Sequence, residues 1–200
     1  MEQYNIPDQK IVGFGSDGAF VMAGEMGGVS ALLRKDNPFC IFVHCVCQRL
    51  HLAVLQACKN NQHMATLQEI LSGIYNYVQG STNRLQQFED IATLLEVDSL
   101  KFKKKFNIRW LSMGECVSAV VRNYKALLVH LSQDAGSGNP VAIGLDQQLR
   151  KYKFVALLYL SADILAATNH LSKLFQYRDV TFSAVRSSVE DCMSILRGFL

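Results

Sequence analysis

Ile11-Val-Gly-Phe-Gly-Ser-Asp-Gly18 is the first of two apolar runs that define the front of the chain, and the second is Phe39-Cys-Ile-Phe-Val-His44. Short apolar runs of this length that end in polar or turn residues are typical of buried strands. The residues between them, 20–35, have apolar positions at helical spacing, weakened by glycines at 24, 27 and 28. We therefore predict strands at 11–15 and 39–44 that are parallel and joined by a helix, that is, a βαβ unit.

A two-stranded parallel sheet is incomplete by itself. Parallel sheets occur with both faces packed, and two strands with one crossover helix cannot supply that cover. The front of the chain is therefore predicted to be part of a larger sheet.

Beyond His44 the apolar spacing changes from strand-like to helical. Helices are predicted at 64–78, 85–95, 113–131, 145–170 and 183–198, with Ser112 and Glu115 as a capping box at the start of the third. The glycine-rich stretch 134–140 is the predicted linker. The predicted fold class is α/β, with a βαβ piece over 1–45 and a mainly helical domain over 46–200.

The amino-acid composition is typical of a globular protein. Half of its 200 residues are hydrophobic and 18% are charged, and the net charge is only +3. Such a mild excess does not identify a nucleic-acid-binding protein, so any basic surface must be local. No secretory signal opens the chain, and the apolar run 154–167 is interrupted by Asp163 and too short to span a bilayer. We expect no membrane partner, and the six cysteines should be reduced thiols.

Asp17 follows the first predicted strand, where open α/β sheets carry their functional groups. A carboxylate there could hold a divalent metal, but Mg²⁺ chemistry normally needs two or more. The residues Ser-Asp-Gly are also ordinary turn chemistry, and on position alone we favour a loop-capping role.

The soft metal ligands cluster at the end of the second strand, at His44, Cys45, Cys47 and His51. Neither C-x₂-C nor H-x₃-H spacing occurs there, so we favour buried thiols over a zinc site or a Cys-His nucleophile.

The segment Lys101-Phe-Lys-Lys-Lys-Phe-Asn-Ile-Arg-Trp110 combines five cations with three aromatic residues. It is the predicted DNA-binding segment, with cations on phosphates and Phe102, Phe106 or Trp110 available to stack on bases. In the alternative, which we slightly favour, the rings lie in the core and the cations are solvated. The predicted phosphate and base contacts are Lys101, Lys103, Lys104, Lys105, Arg109 and Trp110.

Four stretches in this order resemble the hAT (hobo and Activator) family of DNA transposases: SDGAFVMAGEMGGVSALLRKDNP (16–38), FVHCVCQRLHLAV (42–54), RWLSM (109–113) and HLSKLFQYRDVTFSAV (170–185). The resemblance is closest to the transposase-derived region of vertebrate zinc-finger-like proteins, and it covers 11 to about 190.

The resemblance implies an RNase H-like core interrupted by a helical insertion, DNA strand transfer by three acidic residues with two Mg²⁺ ions, and a nuclear location. Asp17 matches the second acidic residue, and Trp110 matches an insertion-domain tryptophan that stacks near the cleaved DNA end. The other two acidic residues are expected before Met1 and beyond Leu200, so the Asp17 site is vestigial or partial. Gln48 stands where the family's C-x-x-H element has histidine.

Three hypotheses follow. The first is a domesticated transposase-like fragment that binds DNA or protein, without strand-transfer activity, cofactor or small-molecule substrate of its own. The second is a catalytic subregion of an active transposase whose other carboxylates lie outside the chain. The third is a helical protein-interaction module, unrelated to DNA, that uses the apolar stripe from Met113 to Leu131 or associates with itself.

Overall fold

The structure is a computed structural model that describes residues 7, 10–103, 110–177 and 179–199, with only the backbone at 110–112. It is mostly helical, with one small parallel sheet in the described part. The chain divides into two compact units, Met1–Gln56 and Ala57–Leu200. The first unit is longer than the predicted 1–45 piece and takes in most of the helix that follows the second strand.

The first unit contains the predicted pair of parallel strands. Strand β1 (Gly13–Ser16) pairs with β2 (Ile41–His44), from Gly13 opposite Ile41 to Ser16 opposite His44. Both strands begin two residues later than predicted. Asn37 stabilises the connection, because its buried side chain donates to the carbonyl of Ile11 at 2.8 Å and accepts from the amide of Phe39 at 3.2 Å.

The single helix predicted between the strands is wrong, because the chain forms two short helices there. Helix α1 (Phe20–Ala23) and helix α2 (Val29–Asp36) are separated by the glycine-rich turn. In this turn Gly28 approaches Gly24 so closely that an added Cβ would lie 2.5 Å from the Gly24 backbone nitrogen. The glycines therefore interrupt the helix as well as weakening it. Helix α3 (Val46–Cys58) follows β2.

The small sheet has two different faces. On one face, Phe14 and Phe42 are half-buried, and their ring centroids lie 5.9 Å apart. On the other, Ile41 and Val43 are 65% and 53% exposed beside the strand glycines. This second face is apolar and largely open to solvent.

The second unit is a set of packed helices whose ends are defined by their capping residues. Asn61, Ser81, Asn139 and Thr181 each accept backbone N–H groups at a helix N-terminus. The helices are α4 (Gln62–Gln79), α5 (Thr82–Leu94), α6 (Trp110–Gly136), α7 (Pro140–Leu149), α8 (Tyr152–Leu174) and α9 (Phe182–Arg197).

Helix α6 is longer than predicted at both ends. It begins at Trp110, so Ser112 lies inside the helix and the predicted capping box does not form its start. It runs to Gly136, which shortens the predicted linker 134–140 to a turn that ends at Asn139, before Pro140. Its apolar stripe, including Val117, Leu127 and Leu131, is buried and packs against α5, α7 and α8. This stripe therefore forms core and is not an exposed interaction face.

The helix predicted over 145–170 is also wrong, because α7 and α8 divide it at Arg150 and Lys151. The division is held by α6, where the Tyr124 hydroxyl donates to the carbonyl of Leu149 at 2.6 Å. Helix α8 is long and apolar enough to cross a membrane by length and composition, with mean hydropathy 1.4 over its best window. Its buried residues, Leu158 and Leu165 among them, lie in a helix that packs against α4, α6, α7 and α9.

Candidate functional sites

Asp17 lies directly after β1, at the same sheet edge as His44, the last residue of β2. Its side chain is exposed, and its Oδ1 accepts the backbone N–H of Ala19 at 3.1 Å. Asp17 thus has the loop-capping contact that Ser-Asp-Gly predicts. Its predicted catalytic role stays a prediction.

His44 and Gly18 hold the shape of this loop. The Nε2–H of His44 donates to the carbonyl of Asp17 at 2.9 Å, so the carbonyl selects the Nε2 tautomer. Gly18 has φ of +75°, and an added Cβ would lie 2.5 Å from His44 Nε2. The sheet edge is therefore an ordered turn in which His44 supports the backbone of Asp17.

These residues do not fit the pair of Mg²⁺ ions that the family resemblance implies. A pair of bridged Mg²⁺ ions needs several carboxylates. Of the three acidic residues that the resemblance implies, Asp17 is the one that matches a position in this chain. In the described ranges, no three His, Cys, Asp or Glu side chains are close enough to hold a metal ion. We therefore derive no catalytic step through a metal at Asp17.

The predicted cluster of soft ligands does not converge either. His44 is directed at the Asp17 carbonyl, and Cys45 is exposed beyond the end of β2. Cys47 and His51 lie on α3, where partial burial lowers the pKa of His51. The prediction of buried thiols is wrong for Cys45, which is exposed, whereas Cys47 is partly buried.

Only the start of the predicted DNA-binding segment falls within the described residues. Lys101 and Lys103 are exposed, and Lys103 Nζ lies 3.0 Å from Glu115 Oε1. Lys104, Lys105, Phe106 and Arg109 lie outside the described residues, as does the side chain of Trp110.

Phe102 belongs to the core. It is 5% exposed, and its ring centroid lies 5.1 Å from that of Phe88 on α5. The prediction that Phe102 could stack on a base is therefore wrong, and the core alternative is confirmed for this ring. Burial of Phe102 between two lysines anchors the chain while Lys101 and Lys103 stay in solvent.

The segment 98–103, which we call the α6 strap, lies along α6 through polar contacts. Buried Asn123 accepts the N–H of Leu100 at 3.1 Å and donates to its carbonyl at 2.6 Å. Arg122 bonds Asp98 at 2.7 Å, and the Cys116 thiol donates to the carbonyl of Lys103 at 3.2 Å. The strap therefore gives the predicted basic segment a fixed starting point.

Asn123 was not predicted as a functional or structural site, although its position in the sequence carries a signal. Asn123 lies three residues after Val120 and four before Leu127, which places a polar amide on the buried stripe of α6. A buried amide must find partners, and here those partners are the two backbone groups of one residue in the strap.

A cluster of polar side chains, partly buried, lies where α4, α5 and α6 meet. Tyr77 donates its hydroxyl to Asp134, and His130 is 1% exposed with Nε2 3.9 Å from Asp134 Oδ2. Arg84 donates to the carbonyl of Tyr77 at 2.7 Å and stacks on its ring. Burial and the bond to Asp134 raise the pKa of Tyr77 to about 12, and burial lowers the pKa of His130.

No protein-family model matches this chain, and no solved structure matches it significantly.

Proposed function

We propose that the chain is a domesticated fragment of a hAT transposase-like protein that binds DNA through the segment 101–110. In this proposal the βαβ piece is part of an RNase H-like core, the helical unit is the insertion-type domain, and the chain has no strand-transfer activity of its own. The observation that carries the proposal is the position of Asp17 at the carboxyl edge of two parallel strands. A helical unit follows these strands along the chain. The four stretches that resemble the family occur in the same order.

The open face of the small sheet supports the same proposal. Ile41 and Val43 present apolar side chains to solvent, as expected for a sheet that has further strands or covering helices in a complete core.

The α6 strap supports the DNA-binding part. Lys101 and Lys103 are exposed at the end of a segment that Asn123 and Phe102 anchor. The backbone that carries these two cations is therefore held in a fixed position on α6. The ion pair between Lys103 and Glu115 is about half-exposed at both ends, and such surface pairs contribute little stability. A phosphate can therefore replace Glu115 at low cost.

A salt titration tests the DNA-binding part. We expect the chain to bind hairpin DNA at low salt, with an affinity that falls as salt rises because each phosphate that a cation neutralises releases counterions. Replacing Lys101 and Lys103 by Gln should flatten the slope by about 0.7–0.9 for each phosphate that is no longer neutralised. Lys125→Gln and Lys153→Gln, at exposed positions on α6 and α8, are the matched control. Absence of DNA binding by the wild-type chain at low salt would exclude the proposal for this segment.

Trp110→Ala tests base stacking separately from charge. Stacking is worth about 1–3 kcal/mol per base, so hairpin or single-strand affinity should fall while the salt slope and the melting temperature stay unchanged. If Trp110 is a core residue, the variant should instead lose about 3–5 kcal/mol of stability. That result would reassign Trp110 to the core.

Strand cleavage is the test between the proposed fragment and an active transposase. With Asp17 as its one assigned acidic residue, the chain should neither nick nor join DNA when Mg²⁺ or Mn²⁺ is added. Metal-dependent cleavage that Asp17→Asn abolishes would replace the proposal by the catalytic alternative.

A further inference from the structure

Helix α9 packs on α8 and leaves a long groove along the line where the two helices meet. This α8–α9 groove has a volume of about 540 Å³ and is open to solvent. The residues that define it here are Asp163, Ala167 and His170 on α8, Asp191 and Ile195 on α9, and Phe199 just beyond α9.

Part of the lining of the groove is apolar and accessible. Ile195 is 48% exposed and Phe199 is 44% exposed, although both are large apolar side chains. Ala166 and Ala167 line the groove from α8, and their small side chains leave room for a large side chain to enter between the helices. The groove can therefore bury apolar side chains from another molecule.

Both helices that form the groove carry an exposed carboxylate on its lining. Asp163 on α8 and Asp191 on α9 are exposed, and neither forms an ion pair with the residues that the structure describes. Glu190, next to Asp191, is different because Arg186 bonds it at 2.9 Å. The groove therefore offers two negative charges to a ligand that brings positive ones.

The open shape of the groove favours a helix over a small molecule as the ligand. Asp163 and His170 are seven residues apart on one face of α8, which corresponds to two helical turns or about 10 Å. Small-molecule sites enclose most of their ligand, whereas the large apolar side chains of this groove are nearly half-exposed. A helix laid between α8 and α9 matches the open shape, and two of its turns match the span along α8.

We propose that the α8–α9 groove binds an amphipathic helix of a partner protein. The apolar side chains of that helix pack on Ile195 and Phe199, and its Lys or Arg residues pair with Asp163 and Asp191. This binding is independent of DNA binding by the segment 101–110, because it uses different residues.

The test selects binders from a display library of amphipathic helices of about 18 residues, long enough for five turns, in which apolar size and flanking charge vary. The whole 200-residue chain is the bait. We expect enriched peptides to carry Lys or Arg beside the apolar stripe. Their affinity, measured by fluorescence anisotropy, should fall at least about tenfold for Asp163→Lys/Asp191→Lys and for Ile195→Glu.

Matched controls distinguish loss of binding in the groove from general effects of charge and of folding. Glu69→Lys/Glu89→Lys makes the same charge change at exposed positions on α4 and α5, and Val141→Glu places a carboxylate at an exposed apolar position on α7. These controls should keep wild-type affinity, and every variant should keep the wild-type melting temperature. A charge-reversed peptide with Glu in place of its basic residues should recover binding to Asp163→Lys/Asp191→Lys.

The proposal would be overturned if no peptide is enriched, or if the enriched peptides show no preference for Lys or Arg. It would also be overturned if the control variants reduce peptide affinity as much as the groove variants do. A wild-type dimer in sedimentation that Ile195→Glu dissociates would assign the groove to a second copy of the chain instead of a partner helix.

Discussion

Gly18 is the residue on which the loop after β1 depends most. Its positive φ disfavours any side chain, and the ring of His44 occupies the space that a Cβ would need. The same ring donates to the Asp17 carbonyl, so glycine, histidine and aspartate form one small structural unit.

Gly18→Ala should therefore destabilise the first unit by about 1–3 kcal/mol and displace the His44 ring. The NMR signals of the His44 ring report its displacement. Urea unfolding, followed at the amides of β1 and β2, measures the loss of stability. Gly27→Ala is the control, because an added Cβ there meets no atom within 4 Å. Equal effects of the two substitutions would contradict the role given to Gly18.

His130 should make the stability of the helical unit depend on pH. Burial lowers its pKa from the ordinary value of 6.5, and Arg84 lowers it further against the opposing effect of Asp134. The unfolded chain therefore takes up a proton below about pH 6.5 before the folded chain does, so stability falls as the pH falls.

Urea unfolding between pH 7.5 and pH 5 measures this dependence, which should approach but not exceed about 1.4 kcal/mol per pH unit. The dependence should be weaker in His130→Phe, which keeps a ring among Tyr77 and Phe88, and unchanged in His63→Asn at an exposed position on α4. The same pH dependence in wild type and His130→Phe would refute the assignment to His130.

At the scale of elements, the α6 strap shows how an irregular segment is held by a helix. Asn123 satisfies both backbone groups of Leu100, and Phe102 fills a space beside Phe88. A segment without regular hydrogen bonds is thus ordered by one amide and one ring.

Asn123→Ala should release this strap. Loss of two hydrogen bonds at a buried site costs about 2–3 kcal/mol, and the Leu100 amide should then exchange with solvent much faster. Hydrogen exchange and urea unfolding measure these changes, with Asn76→Ala at an exposed position on α4 as the control. If Leu100 stays protected in the variant, Asn123 does not hold the strap.

At the scale of the whole molecule, the two units differ in how much apolar surface they bury. In the described part of the first unit, Cys40 is the one buried hydrophobic side chain, whereas the second unit buries many leucine, isoleucine, valine and phenylalanine residues. Burial of apolar area is the main source of stability, so most of it should reside in the second unit.

The fragment 61–200, which begins at the N-cap of α4, should therefore fold alone. We expect it to melt cooperatively, within a few degrees of the main transition of the whole chain, as followed by circular dichroism. In the whole chain, the amides of β1 and β2 should exchange faster than those of α6. A fragment that fails to melt cooperatively would show that the first unit is needed for the helical fold.

Features that depend on local pattern can be predicted from the amino-acid sequence of this chain. Short apolar runs predict the strand pair, and helical spacings of apolar residues predict most of the helices, because both signals are local in the chain. Turn chemistry likewise predicts the capping contact of Asp17, because Oδ1 and the Ala19 amide are only two residues apart.

Features that depend on partners distant in the chain emerge only when the helices pack together. Phe102 is core because Phe88 meets it, the break at Arg150 is held where Tyr124 reaches Leu149, and Asn123 matters because Leu100 lies beside it. The groove between α8 and α9 exists because the two helices pack on each other. Periodicity records which face of a helix is apolar, but it does not record which residue from elsewhere will cover that face.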